Sequence, residues 1–323
     1  MLSVVIPAYN EEAMVGMSKK VITEILDGSG IPFELLYVDD GSKDLTWVRI
    51  QEEAARDNRV RGFSFSRNFG KEAAVAAGLA EAKGNCVAVM DCDLQHPPGK
   101  LVEMYHLWER GYEVIEGVKS SRGQESGIHS FAAKMFYGLI SAASGFDMEN
   151  ASDFKLLDRK AVDALVGMKE KYAFFRALSS WVGFRTVQVP YDVQERTAGS
   201  SKWSTKSLIR YAVNNIASFT TAPMQLVTVC GVLVFIVSFM SSIITLIQKV
   251  QGRALGGFTT VILLMGFIGS IIMMSLGMIG FYLARIYEEL KGRPRYIIAR
   301  STPDKTAPLP TDSGKEGENE FEN

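Results

Sequence analysis

The stretch Val87-Ala-Val-Met-Asp91-Cys-Asp93-Leu-Gln95-His-Pro97-Pro98 decides the fold. An apolar run without polar alternation predicts a buried parallel strand, and the two prolines cannot continue it. Asp91 and Asp93 are therefore expected at or just past the carboxyl end of that strand, where open α/β sheets bind ligands. If this segment is extended, both carboxylates point the same way. Such a pair favours Mg²⁺ carrying substrate phosphates, with a solvated acidic turn as the alternative.

Strands alternate with helices along the first half of the chain, which predicts βαβ units and a mostly parallel sheet with flanking helices. Three strands end in polar loops that begin at Tyr9, Asp39 and Asp91, and parallel strands bring such loops to one edge. That arrangement is typical of a nucleotide pocket. The first strand is not followed by G-x-G-x-x-G, and no G-x-x-x-x-G-K-[ST] occurs, so Rossmann-type dinucleotide sites and P-loop NTPases are disfavoured.

Composition excludes several other classes of function. The 323 residues carry 35 Lys and Arg against 36 Asp and Glu, so no basic field favours nucleic acid. Three cysteines without metal-ligand spacing fit a reducing compartment, and the three histidines show no zinc pattern. The apolar start of the chain is too short for a signal-peptide core, so we expect it to begin a cytosolic domain.

Two uncharged apolar runs, at residues 224–247 and 258–284, predict a transmembrane helical hairpin, because about 20 apolar residues span a bilayer. The loop between them carries only Lys249 and Arg253, while basic residues are more numerous on both flanks. Since cytoplasmic loops hold the excess of Lys and Arg, both termini are expected on the cytoplasmic side of the plasma membrane. Glycines within the runs permit a homo-oligomer.

The segment between the predicted sheet and the hairpin mixes basic and apolar residues. This pattern predicts amphipathic helices lying in the membrane interface, with an ordinary surface helix as the alternative. The predicted plan is a cytoplasmic catalytic domain at 1–203, interfacial helices at 204–222, the hairpin at 223–285, and a cytoplasmic tail at 286–323 that is disordered from about 302.

Five ordered motifs resemble glycosyltransferase family 2, and within it the polyprenyl-phosphate glycosyltransferases such as bactoprenol glucosyltransferases and dolichyl-phosphate mannose synthases. The motifs are Ser3-Val-Val-Ile-Pro-Ala-Tyr-Asn-Glu-Glu12, Asp39-Asp-Gly-Ser42, Phe65-Ser-Arg-Asn-Phe-Gly-Lys-Glu72, Met90–Pro98 and Ser152-Asp-Phe-Lys-Leu-Leu-Asp-Arg159. The resemblance covers residues 2 to 300. It implies a GT-A fold and inverting transfer of one sugar from a nucleotide-sugar donor to a polyprenyl phosphate.

The resemblance also implies roles for individual residues. Pro7, Tyr9 and Glu11 would line the nucleotide site, Asp39 and Asp40 would hold the base and ribose, Asp91 would contact the nucleotide or sugar, and Gln95 would approach the donor. Asp93 would ligate Mg²⁺ or Mn²⁺, with Asp91 as the second candidate ligand. Lys71 is a candidate for the donor phosphates or simply begins its helix.

Asp153 resembles the proposed general base of the family, although it could instead position the acceptor or the sugar, or serve as a core or cap acid. Arg122, Arg196 and Lys202 are candidates for the acceptor phosphate, because Arg and Lys pair with phosphate oxygens. A phosphate monoester has a second pKa of about 6 and is mostly ionised at neutral pH. A strong base is therefore less necessary than for a sugar hydroxyl.

The predicted reaction moves glucose from UDP-glucose to undecaprenyl phosphate at the cytoplasmic membrane face and supplies lipid-linked sugar for modification of cell-envelope glycans. GDP-mannose, a UDP-N-acetylhexosamine and an aminoarabinose-type donor stay open. A processive polysaccharide synthase is less favoured, because residues 194–196 do not fit the Q-x-x-R-W signature of those relatives. An inactive membrane scaffold is the non-enzymatic alternative, against which the retained acids argue.

Overall fold

Both faces of the first strand are buried in the computed structural model, which describes residues 1–120, 152–168, 175–192, 222–251 and 257–303. Leu2, Val4 and Ile6 enter one layer of the core and Val5 enters the other. Side chains of a strand alternate between the two faces of a sheet, so a strand covered on both faces is apolar throughout. This explains the continuous apolar runs in the sequence.

In the described ranges the strands form one eight-stranded mixed sheet with the order β7-β5-β6-β4-β1-β2-β3-β8. The strands are β1 (Leu2–Ala8), β2 (Phe33–Asp39), β3 (Val60–Phe65), β4 (Cys86–Val89), β5 (Val114–Lys119), β6 (Lys155–Asp158), β7 (Thr186–Tyr191) and β8 (Ile298–Ser301). β1 pairs in parallel with β2 and β4, as do β2 with β3 and β5 with β7. The predicted mostly parallel α/β sheet is confirmed.

Helices cover both faces of this sheet. They are α1 (Val15–Gly28), α2 (Thr46–Arg56), α3 (Lys71–Glu81), α4 (Lys100–Glu109), α5 (Arg159–Gly167), α6 (Phe175–Trp181), α7 (Ala222–Val250) and α8 (Phe258–Leu290). Buried side chains of α1, α2 and α4 join one core layer, and those of α3, α5 and α6 join the other.

Two local features differ from the sequence prediction. β6 is an unpredicted strand that runs antiparallel between β4 and β5. Its short sequence begins with the fully buried Lys155, and a charge there hides the strand pattern. In addition, β4 already ends at Val89, so Asp91 and Asp93 lie just past the strand, and a turn at Cys92 and Asp93 replaces the extended segment that would have pointed both carboxylates the same way. Leu94 in that turn has a φ of 59°.

The segment that follows α8 returns to the sheet. β8 pairs antiparallel with β3 and covers its outer edge, and the backbone N–H of Thr302 donates to the carbonyl oxygen of Gly62 at 2.9 Å. The predicted tail therefore contains an edge strand, which the sequence did not reveal because only four residues are involved. Residues from 304 onward lie outside the described part of the chain.

The two late apolar runs are helical and pack against each other as α7 and α8. Among the described residues, one segment is long and apolar enough to cross a membrane by length and composition, Leu264–Leu290, with a mean hydropathy of 2.0. None of its most apolar window is buried inside the protein, and Met265 and Met273 are more than two-thirds exposed. A long apolar surface without protein cover favours contact with lipid.

Gly41, in the loop after β2, is a position that only glycine fits. Its φ is +66°, and a Cβ there would lie 2.5 Å from the carbonyl carbon of Arg67. We expect Gly41→Ala to lower the free energy of unfolding by about 2 kcal/mol or more, because strain and overlap act together. Urea unfolding of the detergent-solubilised chain measures this. Gly99→Ala, where a Cβ meets nothing within 4 Å, is the control, and equal losses in both variants would contradict the argument.

Candidate active site

The loops that follow β1 and β2 are tied to each other by reciprocal hydrogen bonds. The backbone N–H of Asn10 donates to Ser42 Oγ at 2.9 Å, and the backbone N–H of Lys43 donates to Asn10 Oδ1 at 2.9 Å. Asn10 adopts a φ of 55°, which asparagine tolerates better than most residues. β1 and β2 are parallel neighbours, so both loops leave the sheet at its carboxyl edge, as the sequence predicted.

Asp40 joins the second loop to the loop that follows β3. Its carboxylate accepts backbone N–H groups of Phe69 at 2.7 Å and of Gly70 at 2.9 Å. Burial raises the pKa of this carboxyl to about 6, although the two N–H donors act in the opposite direction. Asp39 is fully buried beside it. Both acids therefore shape the loops of the predicted nucleotide site, and direct contact with a base or ribose stays a prediction.

A group of charged side chains lies where β4 meets β6. Val89 of β4 pairs with Lys155 of β6 in the antiparallel register, so Asp91, two residues beyond Val89, and Asp153, two residues before Lys155, lie at the same end of this strand pair. Lys71, the first residue of α3, lies between these carboxylates, with Nζ 2.6 Å from Asp91 Oδ1 and 2.7 Å from Asp153 Oδ2. The sequence named all three residues but did not indicate that one ammonium bridges both acids.

Arg176 of α6 is a second cation on Asp153, and sequence reasoning missed it. Its Nε lies 2.6 Å from Asp153 Oδ1 and its Nη2 lies 3.0 Å from Oδ2. Burial alone would raise the pKa of Asp153, but Lys71 and Arg176 more than offset it and hold that pKa well below its usual range. The Lys71 pKa is raised in turn, because both acids outweigh the effect of burial. Asp153 is therefore a fixed carboxylate near neutral pH.

Glu72 lies beside this cluster and was not predicted either. Its Oε2 accepts the backbone N–H of Phe175 at 2.9 Å, which attaches the first turn of α3 to α6. Burial raises the pKa of Glu72 to about 7, and the charge of Asp153 acts in the same direction. Glu72 thus helps to place the helix that carries Arg176.

A buried ion pair supports the same region from within the sheet. Lys155 Nζ lies 2.6 Å from Glu116 Oε1 and donates to Ser179 Oγ at 2.8 Å. Burial lowers the Lys155 pKa, while Glu116 acts against that effect. Because Ser179 belongs to α6, this lysine connects β6 to the helix that carries Arg176. No local sequence pattern indicates a pair so distant along the chain.

Asp93 and Asp91, the two predicted metal ligands, both lie in the segment that follows β4. Asp93 Oδ1 accepts the backbone N–H of Gln95 at 3.1 Å, which closes the turn after β4 around both predicted residues. Asp91 forms an ion pair with Lys71. The described residues contain no group of three or more His, Cys, Asp or Glu side chains placed for a metal. One carboxylate plus substrate phosphates is still a usual Mg²⁺ environment, so the oxygen donors present fit a divalent cation.

His96 is a structural residue in this turn. Its Nδ1 accepts the backbone N–H of Asp91 at 3.2 Å, and its ring stacks on Phe154 at 5.0 Å. Burial lowers the pKa of His96, so the ring is neutral near pH 7. By accepting the Asp91 N–H, the neutral His96 ring fixes the direction of the backbone at Asp91.

The remaining predicted site residues divide into two groups. Pro7, Tyr9 and Glu11 lie partly buried along the carboxyl end of β1 and the loop that follows it. Arg122, Arg196 and Lys202 lie outside the described residues, so their roles toward an acceptor phosphate stay predictions.

Comparison with known proteins assigns this arrangement of loops and acids to a family. The model of the family described as "Glycosyl transferase family 2" matches residues 3–164, which include β2 to β6, all but the first residue of β1, and both Asp91 and Asp153. The chain belongs to glycosyltransferase family 2. It is therefore a glycosyltransferase, and the expectation of a GT-A fold for its mixed sheet is confirmed.

Relatives of this glycosyltransferase match over nearly the whole chain. "Uncharacterized glycosyltransferase YkcC" of Bacillus subtilis (strain 168) is 37% identical over 301 residues, which are 93% of each chain. "SfII prophage-derived bactoprenol glucosyl transferase" of Shigella flexneri is 34% identical over 302 residues, covering 93% of this chain and 98% of the relative. These matches extend through the late apolar helices as well as the sheet.

A solved structure of glucosyl-3-phosphoglycerate synthase from Mycobacterium tuberculosis, in complex with Mn²⁺, uridine diphosphate and phosphoglyceric acid, is also similar in fold. It is 19% identical, with a TM-score of 0.49, and the likeness covers 67% of this chain and 76% of that one.

Removal of Arg176 should destabilise the glycosyltransferase in a pH-dependent way. We expect Arg176→Gln to lower the free energy of unfolding at pH 7 by about 2 kcal/mol, because one charged partner of a buried carboxylate is lost while the other remains. The Asp153 pKa is depressed in the folded state, so the contribution of the pair is complete above a pH of about 4 and declines as the pH falls further.

Urea unfolding at pH 7 and pH 3 tests this expectation. Arg56→Gln is the control, because Arg56 forms an exposed pair with Glu53 and should change stability by less than about 0.5 kcal/mol. A penalty for Arg176→Gln at pH 7 that is no larger than that for Arg56→Gln would show that the ion pair with Asp153 does not stabilise the fold.

Proposed function

We propose that this glycosyltransferase transfers glucose from UDP-glucose to a polyprenyl phosphate, undecaprenyl phosphate, at the cytoplasmic face of the membrane. The observation that carries the proposal is the match of 98% of the length of a bactoprenol glucosyl transferase. That match includes both the acid-rich carboxyl edge of the sheet and the apolar helices beyond it. The pairing suits a water-soluble donor and a lipid acceptor. The product would supply glycan modification in the cell envelope.

The acceptor chemistry agrees with the low pKa of Asp153. An oxygen of the ionised acceptor phosphate attacks the anomeric carbon of the sugar, the bond from that carbon to the nucleotide oxygen breaks, and the nucleoside diphosphate leaves with the bonding electrons. A phosphate dianion has no proton to lose in this step. Asp153 therefore acts as a positioning carboxylate that Lys71 and Arg176 hold still, and a base of high pKa is not required.

A divalent cation, Mg²⁺ or Mn²⁺, would be held by Asp93 and the donor diphosphate. It would supply charge neutralisation for the leaving diphosphate. Lys71 adds a fixed positive charge at the start of α3, within reach of Asp91. Since an ammonium can exchange one oxygen partner for another, Lys71 is suited to contact the donor phosphates when they enter.

The membrane part of the proposal rests on the two late helices. We propose that α7 and α8 cross the membrane as a hairpin with both ends on the cytoplasmic side, which agrees with the positive flanks of the hairpin and the low charge between the helices. The exposed apolar surface of Leu264–Leu290 supports this placement for α8. The acceptor lipid is then available beside the catalytic domain.

Transfer of radiolabelled sugar tests the reaction. The purified chain is supplied with undecaprenyl phosphate, a panel of UDP- and GDP-sugars, and Mn²⁺ or EDTA, and label in the organic phase is counted. We expect label from UDP-glucose that EDTA abolishes, and a loss of about 100-fold or more in Asp93→Asn, since a charge stabiliser at the leaving group is removed.

Asp163→Asn is the matched control, because Asp163 lies on the exposed face of α5 and should leave transfer unchanged. Label in lipid from a different donor would correct the sugar but keep the reaction. Hydrolysis of a donor without lipid labelling would contradict the acceptor, and the absence of both binding and turnover would favour an inactive scaffold.

The pH profile of transfer is a separate prediction. The initial rate should fall below a pH of about 6, where the acceptor phosphate takes up a proton. Asp153 should not contribute to this limb, since its pKa lies well below its usual range. Initial rates between pH 5 and pH 8 measure the profile. The contrary result is an acidic limb that shifts in Asp153→Asn but stays at the same pH with a phosphonate acceptor of different pKa. That result would identify Asp153 as the titrating group.

A further inference from the structure

A row of three polar side chains crosses the outer strands of the sheet. Asp39 of β2 is the register partner of Ser64 of β3, and Ser64 is the register partner of Arg300 of β8. The Ser64 hydroxyl donates to Asp39 Oδ2 at 2.8 Å, and Arg300 Nη2 donates to Ser64 Oγ at 3.1 Å. Register partners point to the same face, so the three groups form a continuous hydrogen-bonded line.

Burial makes the Asp39 carboxylate dependent on the other members of this hydrogen-bonded line. Asp39 and Ser64 are fully buried, so the Asp39 carboxylate depends on protein donors. The guanidinium of Arg300 approaches from the edge of the sheet and lies 5.2 Å from the centre of the Trp47 ring. Its hydrogen bond fixes the Ser64 hydroxyl as an acceptor on one side and a donor toward Asp39 on the other. The Arg300 guanidinium thereby orients the Ser64 hydroxyl so that its hydrogen points toward Asp39.

The other oxygen of Asp39 leads into the donor loops. Asp39 Oδ1 accepts the backbone N–H of Ser42 at 2.9 Å, and Ser42 Oγ in turn accepts the backbone N–H of Asn10. The position of Asp39 therefore sets the backbone of the Asp39–Ser42 loop and its link to the loop after β1. A displacement of Asp39 would disturb both sides of the proposed nucleotide site.

Arg300 comes from the chain beyond the membrane helix, and that segment is firmly attached to β3. The backbone N–H of Ser66 donates to the carbonyl oxygen of Ile297 at 3.0 Å. The backbone N–H of Gly62 donates to Thr302 Oγ1 at 2.9 Å, and the N–H of Thr302 returns to the Gly62 carbonyl. These bonds on both sides of Arg300 hold its side chain over the Ser64 position.

We propose that Arg300 is a positioning residue for nucleotide binding, which acts through Ser64 and Asp39 on the loop after β2. The inference rests on the proposed function, because it assigns this loop to the donor nucleotide. It adds that the strand following the membrane helix completes the donor site. The effect belongs to binding of UDP and leaves the sugar-transfer step itself unchanged.

The test is the affinity of the full-length, detergent-solubilised chain for UDP with Mn²⁺, measured by titration calorimetry. The variants are Arg300→Met, Arg300→Lys, Ser64→Ala and the double variant Arg300→Met with Ser64→Ala. Arg293→Met is the matched control, because Arg293 is an exposed arginine of the same segment. Thermal unfolding midpoints are recorded for each variant, so that a general loss of structure is distinguished from weaker binding.

We expect Arg300→Met to raise the UDP dissociation constant about tenfold, with partial recovery in Arg300→Lys and no change in Arg293→Met. The double variant should bind UDP no more weakly than whichever single variant has the lower UDP affinity, because both changes break the same Arg300–Ser64–Asp39 hydrogen-bonded line. Unchanged UDP affinity in Arg300→Met, or fully additive losses in the double variant, would overturn the positioning role. Failure of the wild-type chain to bind UDP or any other nucleoside diphosphate would overturn the proposed function together with it.

Discussion

Two carboxylates at one end of the β4–β6 pair, Asp91 and Asp153, are the constraint on which the rest of the site depends. Asp91 follows β4 and Asp153 precedes β6 at the same end of the pair, and carboxylates that share one site repel unless a cation separates them. Lys71 meets that need at 2.6 and 2.7 Å, which fixes where α3 begins. Arg176 then compensates the remaining burial of Asp153 and fixes α6. The same ion pairs therefore set both the positions of α3 and α6 and the charges of the site.

The features of the site that could be predicted from the sequence are those formed by residues close together along the chain. Apolar runs that stop at Asp39 and Asp91 predict buried strands whose ends carry acids, and parallel pairing brings those ends to one edge. The motif around Asp153 was informative through its family resemblance, and the family assignment is confirmed. The length of two uncharged apolar runs was also enough to predict the helices α7 and α8.

The part that could not be predicted is made of long-range pairs. Arg176 and Asp153 are 23 residues apart, Lys71 and Asp153 are 82 apart, and Arg300 and Ser64 are 236 apart. No hydrophobic periodicity reveals such pairs, because two side chains that meet in the folded chain can be any number of residues apart in the sequence. Lys155 illustrates the difficulty, since a lysine reads as a surface residue until Glu116 and Ser179 are known to surround it.

The charge balance of the cluster explains why the proposed reaction needs more cations than the sheet provides. Asp91 and Asp153 neutralise Lys71 and Arg176, so these four groups leave no net positive charge for a ligand. A nucleoside diphosphate and a phosphate acceptor would bring several negative charges to the same edge. On the proposed function, a divalent cation at Asp93 balances the donor, and basic residues outside the β4–β6 cluster must balance the acceptor. On this proposal Asp91 and Asp153 are held in place by internal ion pairs, while the positive charge that binds the substrates comes from the divalent cation and from basic residues outside the cluster.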